Sequence, residues 1–271
     1  MNKIYSLRYT ESGLIYMDSE DDCDSVVDAI FVSAYNEEFC ISLDWNPAFI
    51  ANLMKAGFLV MSTTVLPADD NSGETGKENP VPVEQPIDLV LPKLHLVRSA
   101  LFFGNLHIKR SIRPFLSRYE LRFDTEFKTI VDKCVQTHGE GWLTPSLIKS
   151  IFDIRGQLAP PANPRKLSNA AALAALVPAV YPLPVSFGLY RDGVLKAGEF
   201  GVLCGRVYTS YSGFKEENNA GTVQMILMIK ALEEAGFDFL DFGMPLEYKT
   251  DLGAQDINPE QFVHIFRSAQ L

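Results

Sequence analysis

Asp241 stands near the end of the apolar run FDFLDFG (Phe237–Gly243), and Met244-Pro245 follows at once. A short apolar run with one acid near its end reads as a buried strand that carries a carboxylate to the sheet's end. A turn straight after it would leave that carboxylate facing a cleft, where it could receive a proton or orient a nucleophile. Asp is also a common turn residue, because its side chain bonds the backbone just ahead of it. On residues alone both readings stand.

Charge supplies the second candidate chemistry. The chain has 271 residues and a formal net charge of −10, unevenly spread. Residues 1–90 hold 16 acids against 4 bases, whereas residues 93–122 hold seven bases and one acid. Lys109, Arg110, Arg113 and Arg118 lie in that basic stretch. Such a stripe could hold phosphates, or it could be a solvated face balancing an acidic neighbour. Trp142, between two helical segments, could wall a pocket or fill the core. Glu199 could meet a basic ligand or be an ordinary exposed strand acid. Asn219, ahead of a helical run, could be its N-cap.

Other chemistry is set aside. The four cysteines (Cys23, Cys40, Cys134, Cys204) form no CxxC and read as reduced thiols of a cytoplasmic protein. The four histidines show no metal-ligand spacing, so no metal site is expected. No apolar run reaches the roughly 18–20 residues that span a bilayer, and the N-terminus has no signal-peptide core.

Positioning these residues falls to a recognisable set of elements. Asn46, Pro47 and Gly57 predict a capped helix over "NPAFIANLMKAG". The Pro-, Gly- and acid-rich stretch near 67–86 predicts a flexible loop at the edge of an acidic N-terminal lobe, residues 1–90. "TEFKTIVDKCVQTH" has helical spacing with Asp124 or Thr125 as cap, and "LTPSLIKSIFDI" starts a second helix. Residues 155–184, proline-rich with a short "SNAAALAALV" patch, predict an insertion. Val185–Tyr190, Val194–Leu203 and Val207–Ser212 alternate as an antiparallel meander. A helix ended by Gly236, the Asp241 strand and a last helix capped by Asn258 complete residues 91–271. The fold class expected is α+β, with helices packed on a mixed, mostly antiparallel sheet and a smaller N-terminal α/β lobe.

Several of these segments together resemble the leucyl/phenylalanyl-tRNA–protein transferases. "LHIKRSIRPF" (Leu106–Phe115) is similar to the family's basic LHxSRSxxRxxR segment, and "CVQTHGEGWLTP" to its C…GTWIT element. "GVLKAGEFGVLCGRVYTSYSGF" is similar to LVGGxYGVxxGxxFxGESMFS, and "NNAG" to xNAS. "FLDFGMPLEYKTDLGAQDINPEQF" is similar to xIDCQxxxxHxxSLGAxxIpRxxF. The likeness covers roughly residues 90–271, with a weaker match over 41–58.

The resemblance implies an acetyltransferase-like (GNAT) fold. It also implies transfer of Leu or Phe from aminoacyl-tRNA to the N-terminal amine of a protein that begins with Arg or Lys, a modification that feeds protein degradation. It implies a monomer with no cofactor and no metal, acting on tRNA and protein away from membranes. Asp241 would be catalytic, and Trp142, Tyr211, Gly243, Asn219 and Glu199 would contact substrate. Lys109, Arg110, Arg113 and Arg118 would bind tRNA. Three working positions depart from the pattern: Gly243 replaces the Gln of DCQ, Tyr211 replaces the Glu of GES, and Leu59-Val60-Met61 replaces FPW. Tyr248 or Gln255 could stand in for the missing amide. The alternatives are a diverged relative that kept the fold and lost or changed the reaction, and an acetyl-CoA-dependent enzyme. The latter is disfavoured because "KEENNAGTVQ" lacks the pyrophosphate-loop spacing.

Overall fold

A computed structural model of the chain describes residues 5–66, 85–157, 168–177 and 181–270. The loop expected near 67–86 lies outside them except for its last two residues, as does much of the expected 155–184 insertion. No described helix is long and apolar enough to cross a membrane.

The N-terminal part is built from two small ribbons and two helices. β1 (Arg8–Tyr9) pairs with β2 (Ile15–Tyr16), and α1 (Cys23–Val32) follows. α2 (Pro47–Ala56) starts where the sequence predicts: the Asn46 side chain accepts from Ala48 N at 2.9 Å, and left-handed Gly57 closes its end. β3 (Leu59–Val65) then pairs antiparallel with β4 (Ile87–Lys93), which runs through the expected junction at residues 90 and 91.

The remainder is one twisted sheet with helices on both faces. Its strands are β5 (Arg98–Phe102), β6 (Glu120–Phe123), β7 (Leu183–Arg191), β8 (Val194–Cys204), β9 (Val207–Lys215), β10 (Phe239–Gly243) and β11 (Gln255–Ile257). They lie in the order β11-β5-β10-β9-β8-β7-β6. The predicted meander is β7–β9. Its first turn is sharp because Asp192 and Gly193 both take positive φ, 53° and 76°, the geometry of a two-residue hairpin. Every described pair in this sheet is antiparallel except β9 with β10, so the coarse expectation of a mostly antiparallel α+β sheet holds.

A parallel pair needs a long crossover, supplied by α6 (Ala220–Glu234) between β9 and β10. α3 (Phe127–His138) and α4 (Pro145–Gln157) cover one face, whose core also includes residues of α1, α2 and α8 (Pro259–Ser268). α5 (Asn169–Ala174) and α6 bury the other face. β7 is buried along nearly its whole length because both faces are covered. The short helix α7 (Glu247–Asp251) links β10 to β11.

Two local expectations change. α3 begins at Phe127, because Asp124 is engaged elsewhere: its carboxylate takes Arg155 at 2.8 Å and Ser186 N at 3.3 Å, tying α4 to β7. The helical patch expected within an insertion is part of the body. Asn169 at the start of α5 brackets β6, donating to Leu121 O at 2.8 Å and accepting from Phe123 N at 2.9 Å.

Candidate functional site

The site is organised by the point at which the sheet divides. β9 and β10 are in register over only three positions, Val207 with Phe239, Tyr208 with Leu240, and Thr209 with Asp241. Beyond them β9 runs on to Lys215 against β8, while β10 ends at Gly243. Asp241 therefore sits at the parting, on a strand paired with β5 on one side and β9 on the other.

It does not face open solvent there, and the expectation of a cleft-facing carboxylate is corrected. Asp241 is fully buried and gripped by Arg98, which is 2% exposed. Arg98 Nε donates to Oδ1 at 2.8 Å and Nη2 to Oδ2 at 2.6 Å, a bidentate fork. Gly243 N donates to Oδ1 at 2.9 Å, and Thr209 adds a further bond. Burial alone would raise this carboxyl, but Arg98 and these donors outweigh it and hold it below the ordinary range. A carboxylate so engaged fixes other groups rather than taking protons. Arg98 also lies over the Phe262 ring, 4.3 Å from its centroid, which ties the pair to α8.

β3 docks at the same parting. Val60 N donates to the Tyr211 hydroxyl at 3.2 Å, and burial raises that hydroxyl's pKa. Ser62 Oγ donates to Trp142 O at 2.7 Å and accepts from Thr144 N at 3.2 Å. A β-carbon built on Gly243 would lie 3.4 Å from Leu59 Cδ2 and 3.6 Å from His95 Nε2. Thus Asp241, Gly243, Tyr211, Trp142 and the Leu59–Met61 segment converge from four distant stretches of chain. The Trp142 side chain is half-buried and packs on the core beneath α3 and α4.

Glu199 is corrected on exposure: it is no exposed strand acid, and its carboxylate acts on Lys249 beside the end of β10. It is buried in the opposite face, accepts from the Tyr208 hydroxyl at 3.1 Å, and burial pushes its carboxyl up to about 7. Asn219 precedes α6 with φ of 67°, and its side chain makes no capping bond, so the N-cap reading fails for the side chain. Lys109 is exposed and paired with Asp251. Arg110, Arg113 and Arg118 are exposed and, among the described residues, make no ion pair; Arg118 lies over Phe115. Tyr248 is about half exposed and Gln255 exposed on β11.

Three polar residues at the parting escape sequence reasoning. Arg98 reads only as one base in a charged stretch, although an Arg inside "VRSALFF" is the signal of a buried strand cation. Lys249, buried on α7, donates to Phe242 O at 2.7 Å and Met244 O at 2.8 Å, holding the end of β10. Burial lowers its ammonium to about 8. His95 is 3% exposed, and burial with Arg98 and Lys93 nearby pushes its imidazole down to about 3. His95 Nε2 and Arg98 Nη1 are buried without a partner among the described residues.

An open groove of about 500 Å³ lies elsewhere, between α1 and α8, lined by Asp28, Phe31, Val32, Val263, His264 and Arg267 among others. It contains none of the residues expected to act.

Comparison with known proteins adds to this geometry. The family model described as leucyl/phenylalanyl-tRNA protein transferase matches residues 180–267. The leucyl/phenylalanyl-tRNA–protein transferase of Pseudomonas putida W619 is 27% identical over 170 residues, 61% of this chain and 65% of that one. Those of Azotobacter vinelandii (26%, 65% of its length) and Flavobacterium johnsoniae (23%, 72% of its length) are similar. The chain thus spans about 65% of the Pseudomonas and Azotobacter relatives it matches. Among solved structures, a C-terminal DUF2156 domain from Agrobacterium fabrum aligns with 97% of this chain and 87% of its own. Its identity is 11% and its TM-score 0.41.

Proposed function

We propose that this chain, a distant relative of the leucyl/phenylalanyl-tRNA–protein transferase family over about 60% of its length, transfers a leucyl or phenylalanyl group from aminoacyl-tRNA to the N-terminal amine of a protein that begins with Arg or Lys. The observation that carries this reading is the parting of β9 from β10 immediately beyond Asp241, with Tyr211 and β3 docked against it. A crossover helix leading into one parallel pair that then separates supports an acetyltransferase-like arrangement of the sheet.

The aminoacyl ester is already activated, so the chain need only hold an uncharged amine about 3 Å from the ester carbonyl and stabilise the oxyanion. The amine nitrogen attacks the carbonyl carbon, the bond to the tRNA ribose oxygen breaks, and the amine's proton ends on that oxygen. Asp241 serves by fixing Arg98 and the Gly243 N–H. Arg98 Nη1, the guanidinium nitrogen without a partner among the described residues, is the natural donor to the oxyanion. One such donor is typically worth about 100–1000-fold in rate. The reaction uses neither metal nor coenzyme. Arg110, Arg113 and Arg118 give exposed positive charge for the tRNA phosphates.

A second reading, a relative that kept the fold and changed or lost the reaction, draws on specific features. Asp241 is sealed by Arg98, and Gly243, Tyr211 and Leu59 stand at departed positions. Incubation with labelled Leu-tRNA or Phe-tRNA and an Arg-initiated peptide decides. Labelled peptide supports transfer; tRNA binding without label supports the second reading.

A further inference from the structure

His95 has no counterpart in the motifs that carry the family likeness, yet it faces their most altered position. Its Nε2 is buried, lacks a partner among the described residues, and lies 3.6 Å from where a side chain on residue 243 would begin. Gly243 supplies no side chain, so the imidazole edge borders the space that an amide would have filled. The backbone explains why no side chain returns there: φ at Gly243 is 71°, a region that L-residues avoid.

The other ring nitrogen sets the chemistry of this edge. His95 Nδ1 lies 3.8 Å from Glu38 Oε1, too far for a full hydrogen bond but close enough for the carboxylate to favour the tautomer with hydrogen on Nδ1. Glu38 is itself held by Lys93 at 3.0 Å and by Leu96 N at 3.0 Å. Nε2 then carries its lone pair and is an acceptor. Lys93, Arg98, Asp241 and Glu38 are the charged groups acting on the ring, and burial with the two cations keeps it uncharged at neutral pH.

We propose that His95 is a substrate-binding residue: its Nε2 accepts a hydrogen bond from the α-amine of the acceptor protein and replaces the side chain missing at Gly243. The proposal rests on the transferase reading above and names the group that holds its nucleophile. Arg98 Nη1 serves the carbonyl oxygen and His95 Nε2 the amine, so a donor and an acceptor share one end of the sheet. The Leu59 side chain borders the same point.

The test compares His95→Leu, which has no acceptor, with His95→Gln, which keeps one. Folding is checked by thermal melting, and Leu-tRNA binding is measured alongside transfer to an Arg-initiated peptide. His95→Leu should lose about 10–100-fold in kcat/KM for the peptide, the worth of one well-placed buried hydrogen bond, with Leu-tRNA binding unchanged. His95→Gln should recover most of that loss. An active wild type whose His95→Leu variant is equally active overturns the proposal and leaves the transferase reading standing. If the wild type transfers nothing, imidazole ¹⁵N NMR with the same peptide decides. A shift at His95 Nε2 supports the amine contact while the transfer reading fails, and no shift overturns the contact as well.

Discussion

Arg98 and Asp241, 143 residues apart in sequence, form a bidentate ion pair from which solvent is almost wholly excluded. Burying two charges costs several kcal/mol each, and only near-ideal geometry with further hydrogen bonds offsets that cost. Here the offset comes from the fork, the Gly243 N–H and Thr209. Removing one partner leaves the other buried and unpaired. Asp241→Asn or Arg98→Met should destabilise the protein by about 3–5 kcal/mol, read as a fall in the urea midpoint. The double variant Arg98→Met/Asp241→Leu should recover part of that loss while abolishing transfer. A single variant as stable as the wild type would refute the pairing. Because the Asp241 carboxyl is held low, the pair's contribution is present above about pH 4 and is lost as acid takes the pH below that.

His95 and Glu199 give opposite pH signatures. The His95 pKa falls from 6.5 unfolded to about 3 folded, so the unfolded chain binds the extra proton in between. Its neutral form contributes stability above pH 6.5, which is lost as pH falls toward 3, by at most about 1.4 kcal/mol per pH unit. Glu199 rises from 4.5 to about 7, so its contribution is full below 4.5 and is lost as pH rises through 7. Urea midpoints across pH, for wild type against His95→Gln and against Glu199→Gln, should show the two differences with opposite slopes. Matching slopes would contradict the environments assigned to these groups.

Gly243 tests whether the departed position can be reversed. A Gln there would match the DCQ pattern that the sequence resembles but would force an L-residue to φ near 71°. Gly243→Gln should therefore cost about 1–2 kcal/mol in stability and lower transfer rather than raise it. A more active Gly243→Gln variant would show that the amide, not His95, belongs in this space.

Ser62 links β3 to the start of α4. Its hydroxyl donates to Trp142 O and accepts from Thr144 N, and it is essentially unexposed. Ser62→Ala strands both groups, which should cost about 1–3 kcal/mol. Amide hydrogen exchange should rise at Thr144 and at Val60, whose N–H bonds Tyr211. Unchanged exchange at both would show that the docking of β3 does not depend on Ser62.

What the sequence discloses about this site follows from the range of each interaction. The meander, the capped helices and the short strand that holds Asp241 depend on neighbours within a few residues, and period-two alternation and capping residues reveal them. The resemblance carries further, since it places Tyr211, Gly243 and Leu59 together although they join from separate stretches. Burial of charge escapes both. Arg98 looks like one base of a stripe because its partner lies on another strand, and Glu199 looks solvated because α6, which covers it, is far along the chain. His95 shows no ligand role in the sequence because spacing reveals metal sites, not a place beside a glycine from a distant strand.

The basic segment offers a test that does not depend on catalysis. Arg110, Arg113 and Arg118 make no ion pair among the described residues, whereas Lys109 is paired with Asp251. Each phosphate that is no longer neutralised lowers the salt dependence of binding by slightly less than one unit, so removing three such charges should reduce the slope of log K against log salt by about 2–3. Arg110→Gln/Arg113→Gln/Arg118→Gln should therefore bind tRNA more weakly and with that shallower slope, while the melting temperature stays within a few degrees. Lys109→Gln should do less, because its charge is already balanced. Asp251→Asn should strengthen tRNA binding by freeing Lys109. A triple variant with wild-type affinity and slope would move the tRNA surface away from residues 106–118, leaving the basic stripe as a solvated face opposite the acidic first 90 residues.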